Sequence, residues 1–271
     1  MATTAHSPAA RAPRRHAGRA LRTVMIDTLR EAVRGRWIWM SVLGAFGVAA
    51  VAVFARSLAL SEEHDLALSF AAPMARLLAV LIVALSAIVS VAREQADRTL
   101  LLALAAPMSR TAWVAGKALG LIALALVTAL ILALPVLAFG PPPAAMLAWT
   151  LSLALELAVV ASVSLAIAIV LTQVPPAVCA VLAFYVLARD LHVVQLLAQR
   201  AKDFSELGPA GPVVHAVSLL FPRLDLFTRT DWLLGAPLAA PALGIVGAQA
   251  VIYCLLALSV ASLDLRRAQF A

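Results

Sequence analysis

Long runs of apolar residues recur along this chain and constrain its fold more than any other feature. Each run holds about 20 residues with few charges, the length of helix that crosses the hydrocarbon core of a bilayer. Because backbone groups in lipid must be satisfied within the segment itself, such runs form α-helices. Hydrophobic residues make up 63% of the sequence and charged residues 13%, whereas soluble domains are about half apolar and about a quarter charged. The sequence therefore predicts an all-α integral membrane bundle.

Six transmembrane helices are predicted, and together they form one domain over residues 37–271. The first begins at a tryptophan-rich stretch that suits the membrane interface. A Gly-Pro-Pro-Pro turn separates the third from the fourth, and a tight turn at residues 172–176 separates the fourth from the fifth. The spans run from about Trp37 to Phe54, Pro73 to Ala92, Val114 to Phe139, Ala145 to Leu171, Pro176 to Leu191 and Pro241 to Leu263.

Two segments precede the first span. Residues 1–18 are rich in Ala, Arg, Ser and Pro, and we expect a disordered cytoplasmic tail there. Residues 19–36 place apolar side chains at helical spacing, with basic residues largely elsewhere on the helical wheel. This pattern predicts an amphipathic helix lying in the membrane interface, its basic residues facing anionic lipid headgroups. The alternative is a helical extension of the first span.

The distribution of basic residues predicts the orientation. With the N-terminus inside, fourteen of the 21 Lys and Arg residues lie on the cytoplasmic side and seven on the other side. Because cytoplasmic loops carry the excess of Lys and Arg, both termini are expected in the cytoplasm. Residues 93–112 then form a cytoplasmic loop and residues 191–240 an external segment. This placement accounts for the net charge of +7 without a nucleic-acid partner.

The loop at residues 93–112, between the second and third spans, is the most informative one. Its charged ends carry Glu94 and Arg110, and the apolar run Leu100 to Ala106 lies between them, stopped by Pro107. That run is too short to cross a bilayer, which takes about 20 residues. We interpret it as a short amphipathic helix on the cytoplasmic surface, a form of element suited to docking another protein.

The loop resembles the signature of ABC type-2 permeases, roughly Glu-x-x-x-Gly-Thr-Leu-x-x-Leu-Leu-x-x-Pro-hydrophobic-Ser-Arg and then Gly-Lys. One departure is clear, since Arg98 stands where the family has Gly. The resemblance implies a coupling helix that docks a separate ABC ATPase, and a second permease copy or homologue that completes the path. The docking residues it implies are Glu94, Arg98, Thr99, Leu100, Leu102, Pro107, Ser109 and Arg110, while Gly116 and Lys117 complete the match.

A second resemblance lies in the predicted external segment. Residues 220–227 contain a Pro-x-Leu-x-x-Phe pattern similar to one that precedes the last span of permeases linked to multicopper-enzyme maturation. The alternative is an amphipathic external lid without a ligand role. The family resemblance implies a bacterial inner-membrane protein, and we expect an exporter. Enzyme maturation and export of lipids, peptides or drugs all remain open as its task.

No cofactor or catalytic centre is expected on this chain. A phosphate loop needs Gly-x-x-x-x-Gly-Lys-Ser/Thr, but Ala118 follows Gly116 and Lys117, and Thr111 stands at the position of the first Gly. ATP is therefore expected on the partner subunit. The five histidines are scattered without the spacing of metal ligands, so no metal is expected either.

One acidic residue, Glu156, lies near the middle of the fourth span. A carboxylate at that depth is costly and indicates a functional site or an ion pair. Counted from the inner ends of their helices, Glu156 and Arg189 lie at similar depths of roughly 21–22 Å, at about 1.5 Å per residue. Three roles are open for Glu156: an ion pair with Arg189, a lining residue of the substrate path, or a titrating proton carrier.

Three classes of function follow from these observations. The family resemblance implies a permease subunit driven by a separate ATPase. A proton-coupled secondary transporter would use Glu156, although no internal repeat of broken helices is visible in the two halves of the sequence. A non-transporting membrane scaffold for enzyme maturation is the third class. A neighbouring gene encoding a phosphate loop would favour the first class over the other two.

Overall fold

The computed structural model describes residues 12–58, 63–97, 109–200, 221–237 and 240–267. Within these ranges every regular element is helical, as predicted. Two short 3-10 turns, Leu224–Leu226 and Thr230–Trp232, lie between the last two helices. The α-helices are α1 (Ala12–Arg34), α2 (Trp37–Leu58), α3 (Glu63–Ala96), α4 (Arg110–Leu137), α5 (Pro143–Val170), α6 (Val174–Arg200) and α7 (Ala240–Arg267).

Five helices in the described part of the chain are long and apolar enough to cross a membrane. They are α2, α3, α4, α5 and the stretch Ala242–Leu265 of α7. Five such helices indicate a multi-pass membrane protein, as the apolar runs predict. The helix α6, which corresponds to the predicted fifth span, is not among these five, so the sixth crossing stays a prediction.

The helix α5 forms the centre of the bundle. In its most apolar stretch 78% of the residues are buried, compared with 22% in α2 and 11% in α7. It contacts α3, α4, α6 and α7, and Trp149, Leu153 and Leu157 on it are fully buried. The peripheral helices expose large apolar side chains such as Phe46 and Leu255. In a membrane protein such an outer surface faces lipid, so polar side chains within α5 need partners inside the bundle.

The helix α1 is separate from α2. It begins at Ala12, inside the stretch predicted as a disordered tail, and ends at Arg34. Gly35 and Arg36 then turn the chain, and Arg36 has a left-handed φ of 64°. Because this turn interrupts the helix, α1 is not a simple extension of the first span, which was the alternative interpretation.

Two glycines of α4 allow α1 to pack closely along it. A Cβ atom on Gly116 would lie 2.9 Å from the backbone oxygen of Leu21, and one on Gly120 would lie 2.6 Å from Cβ of Thr28. Glycines four residues apart share one helix face. Small residues at this spacing let membrane helices approach closely, so the α1–α4 contact depends on the absence of side chains at both positions.

The apolar stripe of α1 is divided between two surroundings. Thr28 and Ala32 are buried, whereas Ile26, Leu29 and Val33 remain exposed. The amphipathic pattern of residues 19–36 did not predict the packing of this helix against α4. Whether the exposed half of the stripe lies in the membrane interface stays a prediction.

Two helices are longer than the sequence indicated. The helix α3 begins at Glu63 and includes Pro73, where the second span was predicted to begin. Its first turn carries Glu63 and Asp65, which interact favourably with the positive end of the helix dipole. The helix α6 continues to Arg200, into the stretch predicted as an external segment. Because the spans were predicted from apolar character alone, their predicted ends lie inside the observed helices.

Candidate functional site

A buried ion cluster surrounds Lys117 on α4. The Lys117 side chain is 0% exposed, and its Nζ donates to Glu94 Oε1 at 2.5 Å, to Glu31 Oε2 at 3.2 Å and to Ser90 Oγ at 2.6 Å. The Ser90 hydroxyl in turn donates to Glu31 Oε2 at 2.5 Å. An ammonium group has three N–H donors, so each of them has an acceptor here. The cluster joins α1, α3 and α4.

This cluster lies directly beside the predicted coupling loop, because Glu94 is close to the end of α3. Burying a charge is costly unless it is paired and hydrogen-bonded, and loss of either partner leaves the other uncompensated. In the sequence, Lys117 stood out only as part of the loop resemblance, and nothing singled out Glu31. A lysine two turns into an apolar helix was the available indication that carboxylate partners had to exist.

The far end of the loop is also fixed to the bundle. Ser109 is the N-cap of α4, and its Oγ accepts a hydrogen bond from the backbone N–H of Ala112 at 3.3 Å, which stabilises the first turn. The guanidinium of Arg110 donates to the backbone oxygen of Leu265 on α7. Five of the predicted docking residues lie outside the described residues, namely Arg98, Thr99, Leu100, Leu102 and Pro107.

A second polar cluster lies around Glu156, which is 0% exposed. Its Oε1 accepts a hydrogen bond from the Tyr185 hydroxyl at 2.9 Å and lies 3.4 Å from Nη1 of Arg189. Its Oε2 accepts from the Thr228 hydroxyl at 2.5 Å. The structure thus brings together Glu156 and Arg189, the two residues expected at matched depth, and adds two hydroxyl donors that the sequence did not indicate.

Thr228 belongs to a segment that reaches into the bundle from between α6 and α7. Leu224, Phe227 and Trp232 on this segment are buried. Thr228 itself has a left-handed φ of 43°, a conformation that is unfavourable for a β-branched residue. Its backbone N–H donates to the Ser152 hydroxyl at 3.0 Å. Strained conformations persist where the surroundings enforce them, and here the bundle holds both the backbone and the side chain.

Two arginines face this cluster from different helices. Arg189 of α6 donates to the backbone oxygen of Leu224 at 2.8 Å, in addition to its contact with Glu156. Arg76 of α3 donates a long hydrogen bond to the backbone oxygen of Thr228 at 3.5 Å and interacts with the Tyr185 hydroxyl. The carbonyl of Thr228 thus offers Arg76 an acceptor inside the bundle.

The described residues contain no group of three or more His, Cys, Asp or Glu side chains that could hold a metal ion. No protein-family model matches the chain, and no curated protein matches it. The resemblance of residues 93–117 to a permease signature therefore stays a resemblance, and the contacts of the two clusters have to support any functional assignment.

Proposed function

We propose that this chain is the membrane-spanning permease subunit of an ATP-driven transporter, with six spans. A separate ATPase docks on the cytoplasmic loop at residues 93–112, and a second permease copy or a homologue completes the path. The observation that carries the proposal is the attachment of both ends of this loop to the bundle. Glu94 is tied to Lys117, and Arg110 is tied to α7.

Because of these attachments, a force that acts on the loop is transmitted to the helices of the bundle. The loop is covalently continuous with α3 and α4, the cluster around Lys117 adds α1 through Glu31, and Arg110 adds the end of α7. Packed helices move as discrete bodies rather than deforming continuously. Closure of the docked ATPases would therefore tilt these helices together and change access to the path.

The proposed location is the bacterial inner membrane, with both termini in the cytoplasm and export as the direction of transport. The exposed apolar residues of α1, Ile26, Leu29 and Val33, support contact with the lipid interface. Arg30 and Arg34 on the same helix are exposed and suited to anionic headgroups. This lipid contact would place the Lys117 cluster close to the cytoplasmic surface, next to the docking loop.

The contacts of Glu156 favour a structural ion pair over a proton carrier. Three donors from α6 and the 221–237 segment surround its two oxygens, and the side chain is 0% exposed. A proton-coupled transporter using Glu156 remains the alternative of a different class. A membrane scaffold for enzyme maturation is the other alternative, and it differs from the main proposal in having no ATPase partner.

The test is purification of the tagged full-length chain from native membranes, followed by identification of bound phosphate-loop ATPases by mass spectrometry and assay of ATP hydrolysis. We expect the wild type to carry such an ATPase. Leu102→Glu places a charge in the apolar run of the loop and should reduce ATPase recovery by at least about tenfold, since a buried charge in an interface costs more than 1.4 kcal/mol.

The matched control is Leu234→Glu, since Leu234 is 40% exposed in the segment between α6 and α7. This variant should keep its ATPase. Glu94→Ala is a poor probe because it removes a partner of the buried Lys117 and destabilises the bundle itself. Absence of any ATPase from the wild type, or equal recovery with Leu102→Glu, would contradict the proposal.

A further inference from the structure

A pocket of about 460 Å3 opens between α2, α3 and α6. One part of its lining is apolar, from Val51, Phe70 and Leu77 among others, and Phe70 and Leu77 are about half exposed. The other part carries Arg76 and Arg189 together with the Tyr185 ring. The pocket therefore combines a cationic end, continuous with the Glu156 cluster, and an apolar end that reaches the bundle surface.

The cationic end has more positive than negative charge. Arg76 and Arg189 share one carboxylate, Glu156, within the described part of the chain. The neighbouring acids Asp225 and Asp231 are each paired with an arginine of their own at 3.1 Å, and Asp190 is exposed. An excess charge inside a membrane bundle is costly, so an anion entering this pocket would be stabilised.

The pocket also offers hydrogen-bond donors that the described protein atoms do not use. A guanidinium has five N–H donors. In the described residues Arg76 has the long bond to the backbone oxygen of Thr228 at 3.5 Å and the interaction with the Tyr185 hydroxyl. Since Arg76 lines the pocket, its other N–H groups are available to a ligand there. Arginine donors suit the planar oxygens of carboxylate and phosphate groups.

We propose that this pocket binds an anionic amphiphile, whose phosphate or carboxylate group is held by Arg76 and Arg189 and whose apolar tail lies along Phe70 and Leu77. Its volume is in the range of small-molecule sites, roughly 300–1,000 Å3. Recognition rests on the charge excess and on the split between a cationic and an apolar lining. The proposed binding does not require an ATPase partner. An experiment can therefore refute the ligand site without refuting the transport function, and the reverse.

The test uses the purified full-length chain in nanodiscs of phosphatidylcholine, with dodecyl phosphate as the probe and binding measured by native mass spectrometry. The wild type should bind one probe molecule. Arg76→Gln should weaken binding by at least about tenfold, because hydrogen bonds to a charged group are the stronger kind. Arg56→Gln is the matched control, since Arg56 pairs with Glu63 at the surface and should bind like the wild type.

A second pair of variants tests the apolar end without touching a charge. Phe70→Ala should weaken binding of dodecyl phosphate several-fold, while Phe46→Ala, an exposed phenylalanine that lines a different groove, should not. Competition by phosphatidylglycerol would identify a membrane lipid as the source of the ligand, and its failure to compete would identify a soluble amphiphile. Equal binding by wild type and Arg76→Gln, or equal binding of inorganic phosphate and dodecyl phosphate, would overturn the proposal.

Discussion

Glu156 and Arg189 share one buried network, so their contributions to stability are coupled. Removing one partner of a buried ion pair typically costs about 3–5 kcal/mol, whereas removing both costs less. We expect Glu156→Gln and Arg189→Gln each to lower the thermal unfolding temperature in detergent, and the double variant to recover part of the loss. Because Arg76 also faces the cluster, Glu156→Gln leaves two cations without an anion and should be the more destabilising single change.

The control for this cycle is Arg229→Gln, which breaks an exposed pair with Asp231 and should change the unfolding free energy by no more than about 0.5 kcal/mol. Strictly additive losses from the two buried variants would show that Glu156 and Arg189 are not energetic partners. Loss of transport in Glu156→Gln at unchanged stability would instead support the proton-coupled alternative.

At the scale of residues, the sequence predicted the depth of a charged side chain in the bundle better than it predicted the groups that this side chain contacts. Counting residues along two antiparallel helices was enough to place Glu156 beside Arg189, because helix rise is constant. Thr228 was out of reach of that method, since it lies on an irregular segment with a left-handed backbone. The partners of Lys117 come from two other helices, α1 and α3, and no local spacing in the sequence links Glu31 to Glu94.

At the scale of elements, the contact between α1 and α4 depends on two glycines. A Cβ atom at Gly120 would lie 2.6 Å from Cβ of Thr28, and this atom belongs to a stiff β-branched residue that cannot rotate away. Gly120→Ala should therefore push α1 from α4 and destabilise the bundle by about 1–3 kcal/mol, the usual cost of overpacking. Thermal unfolding in detergent measures the loss.

The matched control is Gly47→Ala on α2, where an added Cβ meets nothing within 4 Å. Since alanine is the better helix former by up to about 1 kcal/mol, this variant should be neutral or slightly stabilising. Equal behaviour of the two variants would mean that α1 does not pack along α4 in the membrane.

The elements themselves were largely predictable, and their ends were not. The long apolar runs predicted an all-helical membrane bundle, because such runs report burial in lipid or protein, whereas the sixth span and the amphipathic, interfacial character of α1 stay predictions. The true ends of α3 and α6 lie at Glu63 and Arg200, where polar residues continue the helix beyond the apolar stretch. Hydropathy locates the most apolar stretch of a helix but not the residues at which the helix begins and ends.

At the scale of the whole molecule, the two polar clusters lie at different places in the bundle. The Lys117 cluster lies where α3 ends and α4 begins, beside the proposed docking loop. The Glu156 cluster lies near the middle of α5 and binds the segment that precedes α7 through Thr228. A displacement at the loop therefore has to pass through the packed helices α3, α4 and α5 before it reaches the pocket between Arg76 and Arg189.

The number of crossings decides how these sites face the two sides of the membrane. Five crossings put the two termini on opposite sides, and six put them on the same side. The basic residues favour six, since fourteen of the 21 Lys and Arg residues then lie inside. Single-cysteine labelling with a membrane-impermeant maleimide, after replacement of Cys179 and Cys254 by alanine, separates the two counts.

Ser109→Cys should react only after the membrane is opened, because two crossings separate it from the N-terminus, which we expect in the cytoplasm. Gly235→Cys is the decisive position, since it is exposed and lies outside only if α6 crosses the membrane. We expect it to react in intact cells, and Ala271→Cys at the C-terminus to stay protected. Labelling at Ala271 but not at Gly235 would mean five crossings. Labelling of Ser109 from outside would invert the topology and place the loop beyond the reach of a cytoplasmic ATPase.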